Sequence, residues 1–344
     1  MTGAATTPAV GSFPGRAAPS DDRRAEEPER RAAPGSTAEA AHPPGIAPRV
    51  LWTRGAQCQV LAEVLGGGTA TQAGANVAES CIRTRASLLV SGHLNSLDLC
   101  NLAVPHGFSP GSTRSIVAAV GSGPHSRLAA TLAYALARQL GVPVRAVYGH
   151  HDSSERSRAL AILNGITAHL PGIDVEPVQA PNPAAMVSGL PVGALLVVGA
   201  PGGAWFQRQF FGPGARIRAK APSGTIVVKH VPARVYQIMQ SATAFGPHMR
   251  VVDARRLTNS RHLIVAQDGR LLGLVTDRAL AEARPDLELR DVMESPVFLS
   301  PEEDLDHAAE LVNHHRGRAI PVVDSRHRII GIVTATDLVA RPPF

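Results

Sequence analysis

The first 48 positions hold almost no large apolar side chains: beyond Met1 there are only Val10, Phe13 and Ile46. Residues 1–48 are otherwise Ala, Pro, Gly, Ser and Thr around a mixed-charge run, Asp21–Arg31, which is expected to form a disordered tail because it has no core to bury. Further on, apolar positions recur with two periods. Ser115–Val120, Val142–Tyr148, Asp174–Val178, Ala194–Val198 and Thr225–Val228 read as strands. Between them, His125–Leu140 places Leu128, Leu132, Leu136 and Leu140 on one helical face, and a second helix opens at Asp152 with Glu155 closing a capping box and Leu160, Leu163 and Leu170 facing inward. Strands alternating with helices predict a parallel βαβ sheet.

Residues 49–110 read as a strand at Gln59–Leu65, a helix over Thr71–Arg85 and a buried strand at Ser87–Val90. The segment Ala86–Gly92 echoes Gly193–Gly199, so this region is expected to be a partial copy of the domain that follows it at 111–231. A clearer repeat fills the C-terminal third, 232–344, where Gly273-Leu274-Val275-Thr276 lies over Gly331-Ile332-Val333-Thr334. Each copy contains two strands around a turn: Leu263–Ala266 and Leu271–Val275 about Asp268-Gly269, then Ile320–Val323 and Ile329–Val333 about 324–328. Asp-Gly between apolar runs is a hairpin signal. A helix is predicted from Ser300 as N-cap, with Pro301 and Glu303 in its first turn, Leu305, Ala308, Ala309 and Val312 on one face, and Gly317 as its stop.

Composition narrows the function classes. With 344 residues, 44% apolar and 18% charged, the chain is long enough for two or three cores, and its longest apolar runs are strand-sized. The start lacks the pattern of a secretory signal, so a cytoplasmic location is expected. The net charge of +6 comes almost wholly from arginine, since lysine occurs only at Lys220 and Lys229. With 4% aromatic residues there is no basic run interleaved with stacking rings, so nucleic acid is not the expected partner. Cys58, Cys81 and Cys100 have neither metal-ligand spacing nor an even count and read as buried thiols. The pairs His150-His151 and His314-His315 read as solvated or phosphate-facing, and no metal site is expected.

Glycines follow the strand Ala194–Val198 at Gly199, Gly202, Gly212 and Gly214. Glycine at a strand's carboxyl end lets backbone N–H groups approach phosphate oxygens. Here the sequence resembles the universal stress protein family, within the adenine nucleotide alpha hydrolase-like fold, over Ser112–His230. That resemblance implies an ATP cradle at those four glycines. Two positions depart from the pattern: Pro213 stands where the family has a hydroxyl, and Gly121 where ATP-binding members have an aspartate. The alternative reading is that the glycines only shape turns on a dimerisation platform. The turn Gly121–Ser126 likewise lacks the aspartate of an ATP-pyrophosphatase loop, and Trp205, Phe206, Phe210 and Phe211 read as interface or core residues.

The C-terminal repeat resembles a pair of cystathionine-β-synthase (CBS) domains, a Bateman module, over Arg234–Leu338. The family's signature, G-h-x-T-x-x-D, stands complete as Gly331-Ile332-Val333-Thr334-Ala335-Thr336-Asp337. The resemblance implies a site for AMP, ADP or ATP, with Asp337 on the ribose, Thr334 on phosphate, and Gly331 and Thr276 contributing. In the first copy Ala279 replaces the aspartate, so one competent site is expected. Thr334 and Asp337 could instead cap the turn that follows them. The whole then reads as an α/β regulatory protein that senses adenine nucleotides, forms homodimers through the strand Thr225–Val228 and the C-terminal helices, and needs no cofactor. The alternatives are an ATP-hydrolysing or AMP-forming enzyme and a structural dimer with vestigial sites.

Overall fold

A computed structural model describes residues 48–72, 74–94, 97–200, 221–257, 262–315 and 318–339, all within one unit, Pro43–Phe344. The expected tail, apart from Pro48, lies outside the described residues, as do Gly202, Gly212, Pro213, Gly214 and the aromatics at 205–211.

The N-terminal elements are β1 (Val50–Trp52), α1 (Ala56–Val64), β2 (Thr69–Ala70), α2 (Val77–Thr84), β3 (Leu88–Val90) and β4 (Asn101–His106). They continue through β5 (Ser115–Ala119), α3 (Pro124–Leu140), β6 (Val144–His150), α4 (Arg156–Thr167), β7 (Asp174–Gln179), α5 (Pro183–Ser188), β8 (Ala194–Gly199) and β9 (Thr225–Lys229). These strands form one nine-stranded sheet in the order β2-β1-β3-β4-β9-β8-β5-β6-β7. All neighbours are parallel except β4 and β9, which pair antiparallel from Leu102↔Lys229 to His106↔Thr225.

Outward from that junction, β4-β3-β1-β2 repeats the chain order of β9-β8-β5-β6 with the strands pointing the opposite way, which puts the echoing strands β3 and β8 in corresponding places. A tight glycine contact closes the junction: Gly224 has φ +97°, and a Cβ there would lie 2.4 Å from the Gly107 carbonyl oxygen. The expectation of pairing through Thr225–Val228 is overturned here, because β9 is bonded to β8 on one side and β4 on the other and has no free edge.

Two other expectations need correction. The predicted strand Gln59–Leu65 is part of helix α1; Cys58, Leu61, Ala62 and Leu65 are buried at helical spacing, and the strand is the shorter Val50–Trp52 before it. The helix expected over Thr71–Arg85 is confined to α2, where the Asn76 side chain caps the Ala78 N–H.

Side chains alternate across the sheet and feed two cores. Ile116, Ala118, Leu195, Val197, Ile226 and Val228 face α1, α3 and α4, while Val117, Ala119, Leu196, Val198 and Val227 face the other way. In α3, Leu128, Leu132 and Leu136 are buried as their spacing predicts, each contributing about 1.5–3 kcal/mol. The second core does not stop at the sheet. It continues into Val235, Tyr236, Leu305, Ile320 and Val333, so the C-terminal third shares a core with the N-terminal region despite the boundary expected at 232.

That third begins with α6 (Val235–Ile238), β10 (Ala244–Phe245), α7 (Val251–Leu257), β11 (His262–Gln267), β12 (Arg270–Thr276) and α8 (Asp277–Glu282). It continues with α9 (Leu289–Val292), α10 (Leu305–His314), β13 (Ile320–Val323), β14 (Ile329–Val333) and α11 (Ala335–Val339). The hairpins β11–β12 and β13–β14 fall where the repeat predicts them, and Asp268 and Gly269 both take positive φ in the first turn. The N-cap of α10 is Asp304, which accepts from the His307 N–H at 2.8 Å. Ser300, the expected cap, instead forms the preceding turn, its N–H donating to Glu303 Oε1. Gly317 lies outside the described residues, and α10 ends at His314.

The repeats exchange their opening segments. Gln240, after α6, exchanges two backbone hydrogen bonds with Ile332 of β14 (2.8 and 3.0 Å), and Glu294, after α9, does the same with Leu274 of β12 (2.8 and 3.1 Å). Tyr236 of α6 is fully buried in the core that holds β13 and β14, whereas Leu289 of α9 is buried with β11 and β12. Each opening helix therefore completes the other repeat's core.

Candidate functional site

In both repeats a threonine at the end of the last strand, or directly after it, leads into a short helix. In the first, Thr276 is buried and its Oγ1 accepts from the Ala279 N–H at 3.1 Å, capping α8. In the second, Asp337 takes over the turn: its Oδ2 accepts from the Thr334 N–H at 2.8 Å and from the Thr334 hydroxyl at 2.7 Å. Gln240 reaches across from the first repeat and donates Nε2–H to Asp337 Oδ1 at 3.2 Å. A carboxylate offers about four acceptor positions, and three donors are in place, so Asp337 can accept roughly one more hydrogen bond without releasing any.

Gly331 makes room for the segment that crosses from the first repeat. A Cβ there would lie 2.7 Å from Met239 Sδ and 2.9 Å from the Gln240 carbonyl oxygen, and one on Gly273 would meet Met293 Sδ and the Glu294 carbonyl oxygen at the same distances. In both repeats this glycine admits the crossing segment, and in the second it thereby brings Gln240 beside Asp337.

Of the other sequence-predicted site Gly199 is described, and it ends β8 beside β5, where the strand order reverses. The Gly121 N–H donates to Ser126 Oγ at 2.8 Å, and α3 begins at Pro124 after Gly123 with φ 124°. Gly199 packs against the backbone of that helix start, since a Cβ would come within 2.9 Å of His125 Cβ. His125 Nδ1 accepts from the His230 N–H at 2.8 Å, which requires an unprotonated Nδ1. Burial lowers the proton affinity of both imidazoles, with Lys229 adding to the effect at His125 and His125 at His230. The unfolded chain therefore binds more protons as pH falls below about 6.5. The stability these groups contribute is present above that value and is lost as pH falls through their lowered folded-state values. Thermal melts from neutral to mildly acidic pH should show this decline, and His125→Asn should flatten it. An unchanged slope in the variant would count against the assignment.

Residues 235–286 and 289–342 each match the model of the CBS domain family. The C-terminal region is a CBS domain pair. An inosine-5'-monophosphate dehydrogenase of Thermoplasma acidophilum is 31% identical over 122 residues, which cover 34% of this chain and 25% of that protein. A homoserine O-acetyltransferase of Methanosarcina acetivorans is 38% identical over 80 residues, or 22% of this chain and 15% of that protein. The chain thus spans a quarter or less of the length of these curated relatives. Among solved structures, CBSX2 in complex with AMP is 26% identical, covering 31% of this chain and 92% of its own with a TM-score of 0.29. The cytosolic domain of the Mg2+ channel MgtE in complex with ATP is 25% identical, covering 31% and 47% with a TM-score of 0.30.

Within the CBS pair the structure unites Thr334 and Asp337, places Gly331 beneath the crossing strand, and leaves Thr276 at the equivalent place in the first repeat. That first place differs chemically: Ala279 offers no carboxylate, and Glu294, the counterpart of Gln240, is paired with Arg318 at 3.2 Å. Sequence reasoning misses Gln240, although Met239-Gln240 and Met293-Glu294 follow the two opening helices in the same register. His150 is buried with Nδ1 2.9 Å from the Asp152 carbonyl oxygen, while His314 and His315 pack ring edge to ring face. No group of three or more metal-ligating side chains occurs among the described residues, and no described helix is long and apolar enough to cross a membrane.

Proposed function

We propose that this is a regulatory, non-catalytic protein of the cytoplasm whose CBS pair binds an adenine nucleotide in the second repeat. Asp337 would accept a ribose hydroxyl and Thr334 would face phosphate. The observation that carries this reading is the half-buried Asp337 carboxylate, held by Thr334 at the end of β14 with acceptor capacity to spare. The missing carboxylate and the Glu294–Arg318 ion pair in the first repeat favour one site over two.

The N-terminal sheet is the proposed stress-like part. Its strands β7-β6-β5-β8-β9 are all parallel with a switch point between β5 and β8, which supports that reading, and a second nucleotide would lie between Gly121 and Gly199. The mirrored β2-β1-β3-β4 supports a partial second copy joined edge to edge with the first. If two chains pair, the surface must be elsewhere, with the C-terminal helices as the proposed contact.

AMP, ADP or ATP should raise the melting temperature of the full-length protein, since a ligand at a hundred times its Kd stabilises the folded state by about 2.7 kcal/mol. The absence of both a thermal shift and calorimetric heat with all three nucleotides would overturn the reading.

A further inference from the structure

The two buried thiols of the second core lie in contact: Cys81 Sγ and Cys100 Sγ are 3.8 Å apart, and the residues are 0% and 2% exposed. Cys81 belongs to α2, and Cys100 stands directly before β4. Cys58, the third, sits in the core on the opposite face of the sheet and contacts Thr53 instead. The neighbours of the pair give it a reach beyond its own fold element. Tyr236 Oη of α6 lies 3.0 Å from the carbonyl oxygens of both Leu99 and Ala86, and Gln237 Nε2 donates to the Ala86 oxygen at 3.1 Å. Leu99 is bonded in sequence to Cys100, and Ala86 donates its N–H to the Cys81 carbonyl oxygen at 2.9 Å. The two carbonyls that seat the CBS pair on the N-terminal sheet are therefore tied to the two cysteines.

We propose that Cys81 and Cys100 are an oxidisable dithiol whose closure to a disulfide loosens the seat of α6. Hydrogen peroxide is the oxidant. The Cys81 thiolate attacks one peroxide oxygen, the O–O bond breaks, and the departing hydroxide takes a proton to become water, leaving a sulfenic acid. The Cys100 thiol then attacks that sulfur, the S–O bond breaks, and the second hydroxide leaves as water with the Cys100 proton. Two electrons pass from the sulfur pair to one peroxide.

Cys81, fixed in α2, is the attacking sulfur and Cys100 the one that swings in; the hydrogen bond between them lowers the proton affinity of Cys81 and, together with burial, raises that of Cys100. Closure needs the sulfurs to approach from 3.8 Å to about 2.05 Å. Cys100, which belongs to neither helix nor strand, is the freer of the two to move, and its movement draws the Leu99 carbonyl away from the Tyr236 hydroxyl. Because both thiols are covered, the reaction proceeds through local opening and is slower than at an exposed thiol.

The test treats the full-length protein with hydrogen peroxide and follows intact mass, non-reducing peptide maps and hydrogen exchange. The expected product has lost two hydrogens, maps to a Cys81–Cys100 cross-link, reverses with dithiothreitol, and shows faster exchange over 235–240. Cys58→Ser should behave as wild type, and Cys81→Ser should lose the cross-link. Recovery of both thiols unchanged, conversion of either to a sulfinic acid without a cross-link, or a cross-link that leaves exchange over 235–240 unaltered would overturn the proposal. The wild-type maps decide the matter even if Cys81→Ser folds poorly.

Discussion

Tyr236→Ala is expected to lower the stability of the chain by about 3–5 kcal/mol. Tyr236 is the largest of the fully buried side chains among the described residues, and it lies where α6, the second CBS repeat and the N-terminal sheet share one core. Its removal leaves a cavity that none of these elements can fill by a small shift, because the sheet and the second repeat are fixed by strand pairing and α6 by the backbone bonds of Gln240 to Ile332. At about 2–4 °C per kcal/mol for a chain of this size, the melting temperature should fall by roughly ten degrees. Tyr236→Phe separates the two parts of the cost. It keeps the ring but leaves the Leu99 carbonyl oxygen without its hydroxyl partner, while the Ala86 oxygen retains Gln237, so a smaller loss of about 1–3 kcal/mol is expected. Calorimetric melts of both variants check this, and equal losses would mean that packing carries none of it.

Asp337→Ala should reduce nucleotide affinity about tenfold or more, because a hydrogen bond to a charged group contributes about 1.5–3 kcal/mol. The same change removes the acceptor for the Thr334 N–H and hydroxyl and so should cost the free protein about 1 kcal/mol through the lost cap of α11. The two effects are separable. Asp337→Asn keeps an acceptor at the cap but not the charge, so it should recover most of the stability and little of the affinity. Calorimetric titration beside thermal melts reads both, and full nucleotide affinity in Asp337→Ala would remove the assigned role.

What the sequence makes legible is uneven for physical reasons. The strands β5 and β8 are continuous apolar runs buried almost along their whole length, and the spaced leucines Leu128, Leu132 and Leu136 of α3 are all buried. In residues 49–110 the elements are short, and a run such as Gln59–Leu65 fits either period until its neighbours are known; burial of Cys58, Leu61 and Leu65 decides for the helix. The repeat at Gly273 and Gly331 is plain in the sequence, yet the role of those glycines is not. Their demand comes from Met293 and Met239, which reach them only through the exchange of opening segments between repeats. Gln240 is hidden for the same reason, since nothing local marks a side chain whose partner, Asp337, lies 97 residues further along the chain.

The exchanged openings also bear on how the chain is made. Synthesis proceeds from the N-terminus at about 5–20 residues per second. When residues 235–286 have left the ribosome, α6 has only the N-terminal part of its seat, at the Ala86 and Leu99 carbonyls, because β13 and β14 are not yet synthesised. The core around Val235 and Tyr236 stays incomplete until Val333 emerges, and β9 pairs with β4 across more than a hundred residues in the same interval. Such late, long-range closure slows folding and lengthens the time during which nascent chains can associate wrongly. A ribosome stalled near residue 290 should therefore carry an α6 that is cut by protease faster than in the released full chain.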